Sequence, residues 1–152
     1  MLCPLGWIHG TLHVPEEASL LEFLATPTPI IPLTQVRVPR ELEIVPFMAL
    51  HREAMTLVAP VLAQELVDRP SRPGQTATRD VACFLPRGIL RGSLEVPLNL
   101  RLSDHLRELG EFLVLRHGML TDYGETLRSP SARALHVVLV RRSRAVGMAE
   151  WS

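Results

Sequence analysis

Pro4-Leu5-Gly6-Trp7-Ile8-His9-Gly10-Thr11-Leu12-His13-Val14-Pro15 returns 82 residues later as Pro86-Arg87-Gly88-Ile89-Leu90-Arg91-Gly92-Ser93-Leu94-Glu95-Val96-Pro97. The match continues without a gap to Leu24 over Leu106, and eight of its 21 pairs are identical. Repetition at a fixed offset marks a duplicated structural unit, so a residue present in one copy alone lies outside the shared architecture. In Ile8 to Val14 the even positions are apolar or glycine and the odd positions are polar. A period of two is the pattern of a half-buried strand. Gly10 and Gly92 occupy the same inward position of the two copies, which predicts a bend or a close backbone approach. Pro15 and Pro97 close these strands, because proline lacks the ladder donor.

Working outward, a short helix follows in each copy. Leu102, Leu106 and Leu109 share one face, Ser103 reads as the N-cap, Asp104 and Glu108 suit the first turn, and Gly110 suits the C′ position. Ser19 to Ala25 does the same in the first copy, cut short before Pro27 and Pro29. Ile30 to Val38 and Phe112 to Leu120 then read as strands, the first an edge or bulged one because of Pro32. A loop eight residues longer in the second copy changes the offset to 90, at which Phe47–Ala59 lies over Val137–Ala149 as strand, charged tight turn and strand. The unit is therefore β-α-β-β-β, with room for one more strand at its front over Val81 to Leu85. Between the copies, Val61 to Asp68 reads as a short helix and Arg69 to Asp80 as a flexible, Pro/Gly-punctuated linker. Thr121 to Arg133 reads as a mobile loop of similar character.

The expected fold is mainly β with short helices, an α+β chain of two tandem small barrel-like domains packed as a pseudo-dimer. Residues 1–60 form the first repeat, 61–82 the helix and linker, and 83–150 the second repeat. Units of this size bury only about 60% of their unfolded surface, so the copies are expected to lean on each other or on a partner. Hydrophobic content of 47% and charged content of 21% fit a globular chain, while aromatics at 5% leave the cores to Leu, Val, Ile and Ala.

All 16 basic residues are Arg, as a GC-rich bacterial genome would give, and the net charge is zero, which argues against a generic nucleic-acid binder. The charge is divided unevenly. Residues 1–60 hold three Arg and six acids, giving −3, whereas residues 83–152 hold ten Arg and seven acids, giving +3. An acidic first copy and a basic second copy attract, within one chain or between chains. Cys3 and Cys83 do not align at the repeat offset and read as small core residues. The start carries no basic run, and no apolar stretch approaches the length of a membrane span, so a cytoplasmic protein is expected.

A bent strand carrying Gly-x-Leu, a further strand and a closing strand–turn–strand resemble the Sm-like small β-barrel. Val137-Val138-Leu139-Val140-Arg141-Arg142-Ser143-Arg144-Ala145-Val146 looks like the second motif of that family. The unit with Gly-x-Leu-x-Val-Pro and Arg101-Leu102-Ser103-Asp104-His105-Leu106 is also similar to small bacterial domains of unknown function. The likeness implies a barrel and a base pocket formed by a polar loop and an Arg-Gly pair. Here a helix takes the place of that loop, the glycine position holds Arg142 or Arg52, and the family's Arg corresponds to Arg141 or His51.

No residue set carries a catalytic, cofactor or metal assignment. His9 and His13 share a strand face but lie about 13 Å apart at the strand rise, too far for one ion. Ser103-Asp104-His105 are neighbours on one helical turn, whereas a hydrolase triad needs side chains from separate elements. Glu16, Glu17, Glu41 and Glu43 lack a paired base and read as solvated surface. The candidate interaction residues are Arg141, Arg142 and Arg144 on the second tight turn, with Trp7 and Trp151 as rare aromatic anchors. The expected function is a non-enzymatic protein-interaction module, an adaptor or accessory subunit of a bacterial assembly. The alternative is an Sm-like nucleic-acid binder using the three arginines.

Overall fold

The computed structural model describes residues 1–61, 74–122 and 131–151. The first half contains β1 (Leu2–Cys3), β2 (Gly6–Trp7), β3 (His9–Leu12), α1 (Leu20–Ala25), β4 (Ile30–Arg37), β5 (Val45–His51) and β6 (Leu57–Val58). The second contains β7 (Thr76–Leu85), β8 (Gly88–Pro97), α2 (Leu102–Glu108), β9 (Phe112–Asp122), β10 (Ser131–Arg141) and β11 (Gly147–Glu150). One-turn 3-10 helices over Arg52–Ala54 and Arg142–Arg144 precede β6 and β11, where charged turns are expected. The chain is mainly β, as its alternating pattern predicts.

Strand register repeats between the halves at the offsets of the sequence match. Leu2 pairs with Trp7 and with Leu57; Phe84 pairs with Ile89 and with Gly147. His9 pairs with Arg37 and Thr11 with Thr34; Arg91 pairs with Met119 and Ser93 with Arg116. Ile31 faces Leu50 and Val36 faces Val45, as Leu113 faces Val140 and Gly118 faces Leu135.

The equivalence extends to an irregularity. Register shifts between His9 and Thr11, and again between Arg91 and Ser93, opposite Gln35 and His117, which share φ = 52°. Gly10 and Gly92 lie at those shifts. A Cβ on Gly10 would stand 3.1 Å from Val36 Cγ2, and one on Gly92 3.0 Å from the Arg116 carbonyl oxygen. The extra residue bends the partner strand toward the glycine, and a Cβ at either position fits only if its neighbour gives by a few tenths of an ångström.

One eight-stranded sheet has the order β11-β7-β8-β9-β10-β6-β1-β2, and a second has the order β3-β4-β5. The two are continuous in space, because Ile8, between β2 and β3, exchanges backbone bonds with Met1: its amide donates to the Met1 carbonyl at 2.9 Å and its carbonyl accepts from the Met1 amino group at 2.8 Å. Strands therefore run in one series from β11 through β10 and β6 to β5. The series is not closed, so the barrel closure expected for each half is absent among the described residues. β10 pairs with β6 of the other half and not with β11.

Two apolar cores lie along this series. One gathers Ile8, Leu24, Ile31, Val36 and Met55; the other gathers Val81, Cys83, Leu90, Leu115 and Leu120. β10 is buried on both faces, with Val138 and Val140 in the second core and Val137 and Leu139 in the first. Reciprocally, Leu57 of β6 enters the second core while Val58 stays in its own. Alternation along a strand with two covered faces produces this exchange.

Three local expectations are corrected. The linker expected to run to Asp80 gives way to strand from Thr76, because Thr76 to Asp80 ladder onto Pro97 to Ser93. β4 is central in its sheet, not an edge; β3 ends opposite Leu33, so Pro32 has no neighbour to serve on that side, and the bulge sits at Gln35. The N-cap of α2 is Arg101, without a side-chain cap bond, and Ser103 lies inside the helix. In α1 the cap is Ser19, whose Oγ accepts from the Glu22 amide while Glu22 accepts from the Ser19 amide. Most of the Val61–Asp68 helix, the start of the linker and the centre of the Thr121–Arg133 loop lie outside the described residues.

Candidate functional site

The junction between the halves is made by backbone first. Leu139 pairs with Val58, Val140 with Leu57, and the Arg141 amide donates to the Thr56 carbonyl at 3.0 Å. The turn that ends β10 then places the Arg141 and Arg144 guanidinium groups against the first half. Arg141, with its side chain 6% exposed, donates to Glu111 Oε1 at 2.6 Å, to the Arg52 carbonyl at 2.6 Å and to Glu53 Oε1 at 3.2 Å. Arg52, also buried, pairs with the other Glu111 oxygen and donates to the Thr26 carbonyl at 2.5 Å.

Glu111 is thus clamped between one arginine from each half. The Arg52 hydrogen bond holds its carboxyl below the usual range; burial opposes this, and the Arg141 hydrogen bond reinforces it. Charge-assisted bonds of this kind are about twice as strong as neutral ones. Arg52 and Arg142 are equivalent residues with equivalent work. Each opens a 3-10 turn and caps the carbonyl end of its own helix, Arg52 on Thr26 and Arg142 on Leu106 and Leu109 at 2.5 and 2.8 Å. Arg141 has no such twin, since His51 holds its place in the first half.

The interaction residues expected from sequence are accordingly not one open patch. Arg141 is buried at the seam, Arg142 caps α2, and Arg144 donates to the Glu53 carbonyl and lies 3.8 Å from its carboxylate. Trp7 is half-buried with the Arg133 guanidinium 4.5 Å from its ring centre, another contact across the halves. Trp151 is 57% exposed and stacks against Arg91 at 4.7 Å, its amide donating to the Asp80 carbonyl at 2.7 Å. Sequence reading misses Glu111 and Glu53, and misses that Arg133 meets Trp7. Their partners lie 30 to 126 positions away, and Glu111 aligns with Pro29, so the repeat gives no sign of them.

A concavity of about 350 Å3 is lined by the first half: Ile8, Leu12, Leu20, Leu33 and Val58, with His9 and the Met1 amino group at its polar side. Burial lowers the amino group to about 6 and also lowers His9. His13 lies beyond the end of β3, its Nε2 3.0 Å from Thr34 Oγ1. Among the described residues, no three His, Cys, Asp or Glu converge as a metal site. Cys83 is fully buried, which pushes its thiol up to about 11, and Cys3 donates weakly to the Gly6 carbonyl. No helix among the described residues is long and apolar enough to cross a membrane.

The two ends of the strand series are the other notable surface. β5 and β11 are edge strands among the described residues. Phe47 on β5 is 59% exposed and Val146, just before β11, is 77% exposed. Bare strand edges beside apolar side chains are templates for pairing with another chain. No protein-family model, curated protein or solved structure matches this chain.

Proposed function

We propose that this chain is a non-catalytic protein-interaction module, an adaptor or accessory subunit of a larger assembly, that engages partners by strand addition. Each half is read as an opened variant of the small-barrel plan, duplicated and joined as a pseudo-dimer. The observation that carries this reading is the β6–β10 junction: a strand of one half completes the edge of the other, and among the described residues the same kind of edge stands bare on β5 and β11. Strand addition draws affinity from main-chain bonds and specificity from alternate side chains. The arginines that a nucleic-acid reading requires are engaged with Glu53, Glu111 and helix carbonyls, which favours protein over nucleic acid as the partner.

The test is quantitative affinity capture from the native cell with the wild-type chain and with two edge variants, Ala49→Arg on β5 and Val146→Asp at β11. Both side chains are exposed, so neither change disturbs the core. At least one partner held by the wild type is expected to be lost from a variant. Identical recovery by all three chains contradicts the reading.

A further inference from the structure

We infer that the bare edges take a second copy of this chain, head to tail, with β5 of one molecule antiparallel to β11 of the next. The inference rests on the strand-addition reading and names its partner. Strands run in one series, β11-β7-β8-β9-β10 from the second half and then β6-β1-β2/β3-β4-β5 from the first. Inside the chain, the last strand of the second half's meander, β10, meets the closing strand of the first half, β6. The counterparts of those two strands, β5 and β11, are the two open ends. Repeating the internal contact once more therefore requires a second molecule.

Register transfers residue by residue. Leu139 opposite Val58 becomes Ala49 opposite Met148, Val140 opposite Leu57 becomes Leu50 opposite Gly147, and the Arg141 amide on the Thr56 carbonyl becomes the His51 amide on the Val146 carbonyl. Burial marks what is missing. Val137 and Leu139 are 8% and 0% exposed beneath the first half, whereas their counterparts Phe47 and Ala49 are exposed, Phe47 at 59%. Thr56 is half-buried at the seam, whereas Val146 is 77% exposed. The end that offers β5 belongs to the −3 half and the end that offers β11 to the +3 half, so approach is attractive in this orientation.

The contact is heterologous, using different surfaces on the two molecules, and such contacts propagate into rings or filaments. It lacks the charged clamp of the internal seam. His51 replaces Arg141, Pro29 replaces Glu111 and Ser143 replaces Glu53, so the association is weaker than the internal junction and reversible.

Sedimentation velocity and native mass spectrometry of the full chain over a concentration series test this. The wild type is expected to assemble beyond the monomer as concentration rises. Ala49→Arg alone and Val146→Asp alone are expected to stay monomeric with unchanged circular dichroism. Mixed, they are expected to form a one-to-one heterodimer and nothing larger, because one free β5 and one free β11 remain. A wild type that stays monomeric at its solubility limit overturns the inference. So does a Val146→Asp chain that assembles like the wild type, which is the signature of a symmetric β5–β5 contact, or a mixture that stays monomeric. A monomeric wild type whose edge variants still lose another captured protein refutes the second-copy partner and leaves strand addition standing. Assembly that each edge variant abolishes, with capture of every other protein unaffected, leaves the second-copy contact standing and removes the adaptor role.

Discussion

Replacing Arg141 by Met separates the seam's polar clamp from its backbone pairing. Methionine keeps the aliphatic stem of the side chain but removes the guanidinium that reaches Glu111, Arg52 and Glu53. Losing the charged bond to Glu111 costs roughly 1.5–3 kcal/mol, and orphaning the Arg52 carbonyl costs roughly 1–3 kcal/mol. Glu53, with its side chain 82% exposed, contributes little, on the order of 0–1 kcal/mol. Arg52 still holds Glu111 and the methionine gains some burial, so a net loss of about 3 kcal/mol is expected. His51→Met alters the equivalent register position of the first half, which is exposed, and its expected effect is within about 0.5 kcal/mol. Urea unfolding followed by tryptophan fluorescence, at low protein concentration, measures both variants. If the two agree within about 0.5 kcal/mol, Arg141 is not a tie between the halves and the reasoning fails.

Acid stability follows from the same clamp. Folding holds the Glu111 carboxyl below its ordinary 4.5, chiefly through Arg52, so its contribution is complete above that value and is lost as pH falls through the depressed folded value. Wild-type stability is expected to fall below about pH 4.5 more steeply than that of Glu111→Gln, measured by urea melts across pH; parallel curves contradict the assignment. Ser19→Ala removes a capping box and is expected to cost about 1 kcal/mol in thermal or urea melts, whereas Ser103→Ala, inside α2, costs a few tenths at most. Cys3 and Cys83 are buried, and Cys83 titrates at about 11, so a thiol reagent is expected to label neither in the native chain near pH 8 and both after unfolding in urea. Rapid native labelling contradicts the packing described for the two cores.

Much of this architecture is written locally. Alternation around Gly10 and Gly92 predicts the bent strands, the Leu102–Leu106–Leu109 face predicts α2, and the 90-residue offset places the two tight turns opposite each other. These features depend on periodicity, which a single strand or helix displays by itself. What the pattern could not show is which strand completes which edge. Leu57–Val58 is two residues long, too short for any period, yet it joins the halves. Arg141 was legible as part of a charged turn, but its partners Glu111 and Glu53 are non-local, and a cluster assembled by pairing across halves leaves no trace in sequence spacing. Ser103 misled for a related reason: the cap position follows the register of the repeat, Ser19 over Arg101, more closely than cap preference.

Amide hydrogen exchange at two backbone positions reaches the centre of the account, that the contact within the chain is repeated between chains. The Arg141 amide, bonded to Thr56 across the seam, is expected to exchange only with global unfolding at every concentration. The His51 amide, on the outer side of β5, is expected to exchange freely in dilute solution and to become protected as concentration rises. An Arg141 amide that exchanges as freely as that of His51, or a His51 amide whose rate never changes with concentration, contradicts it.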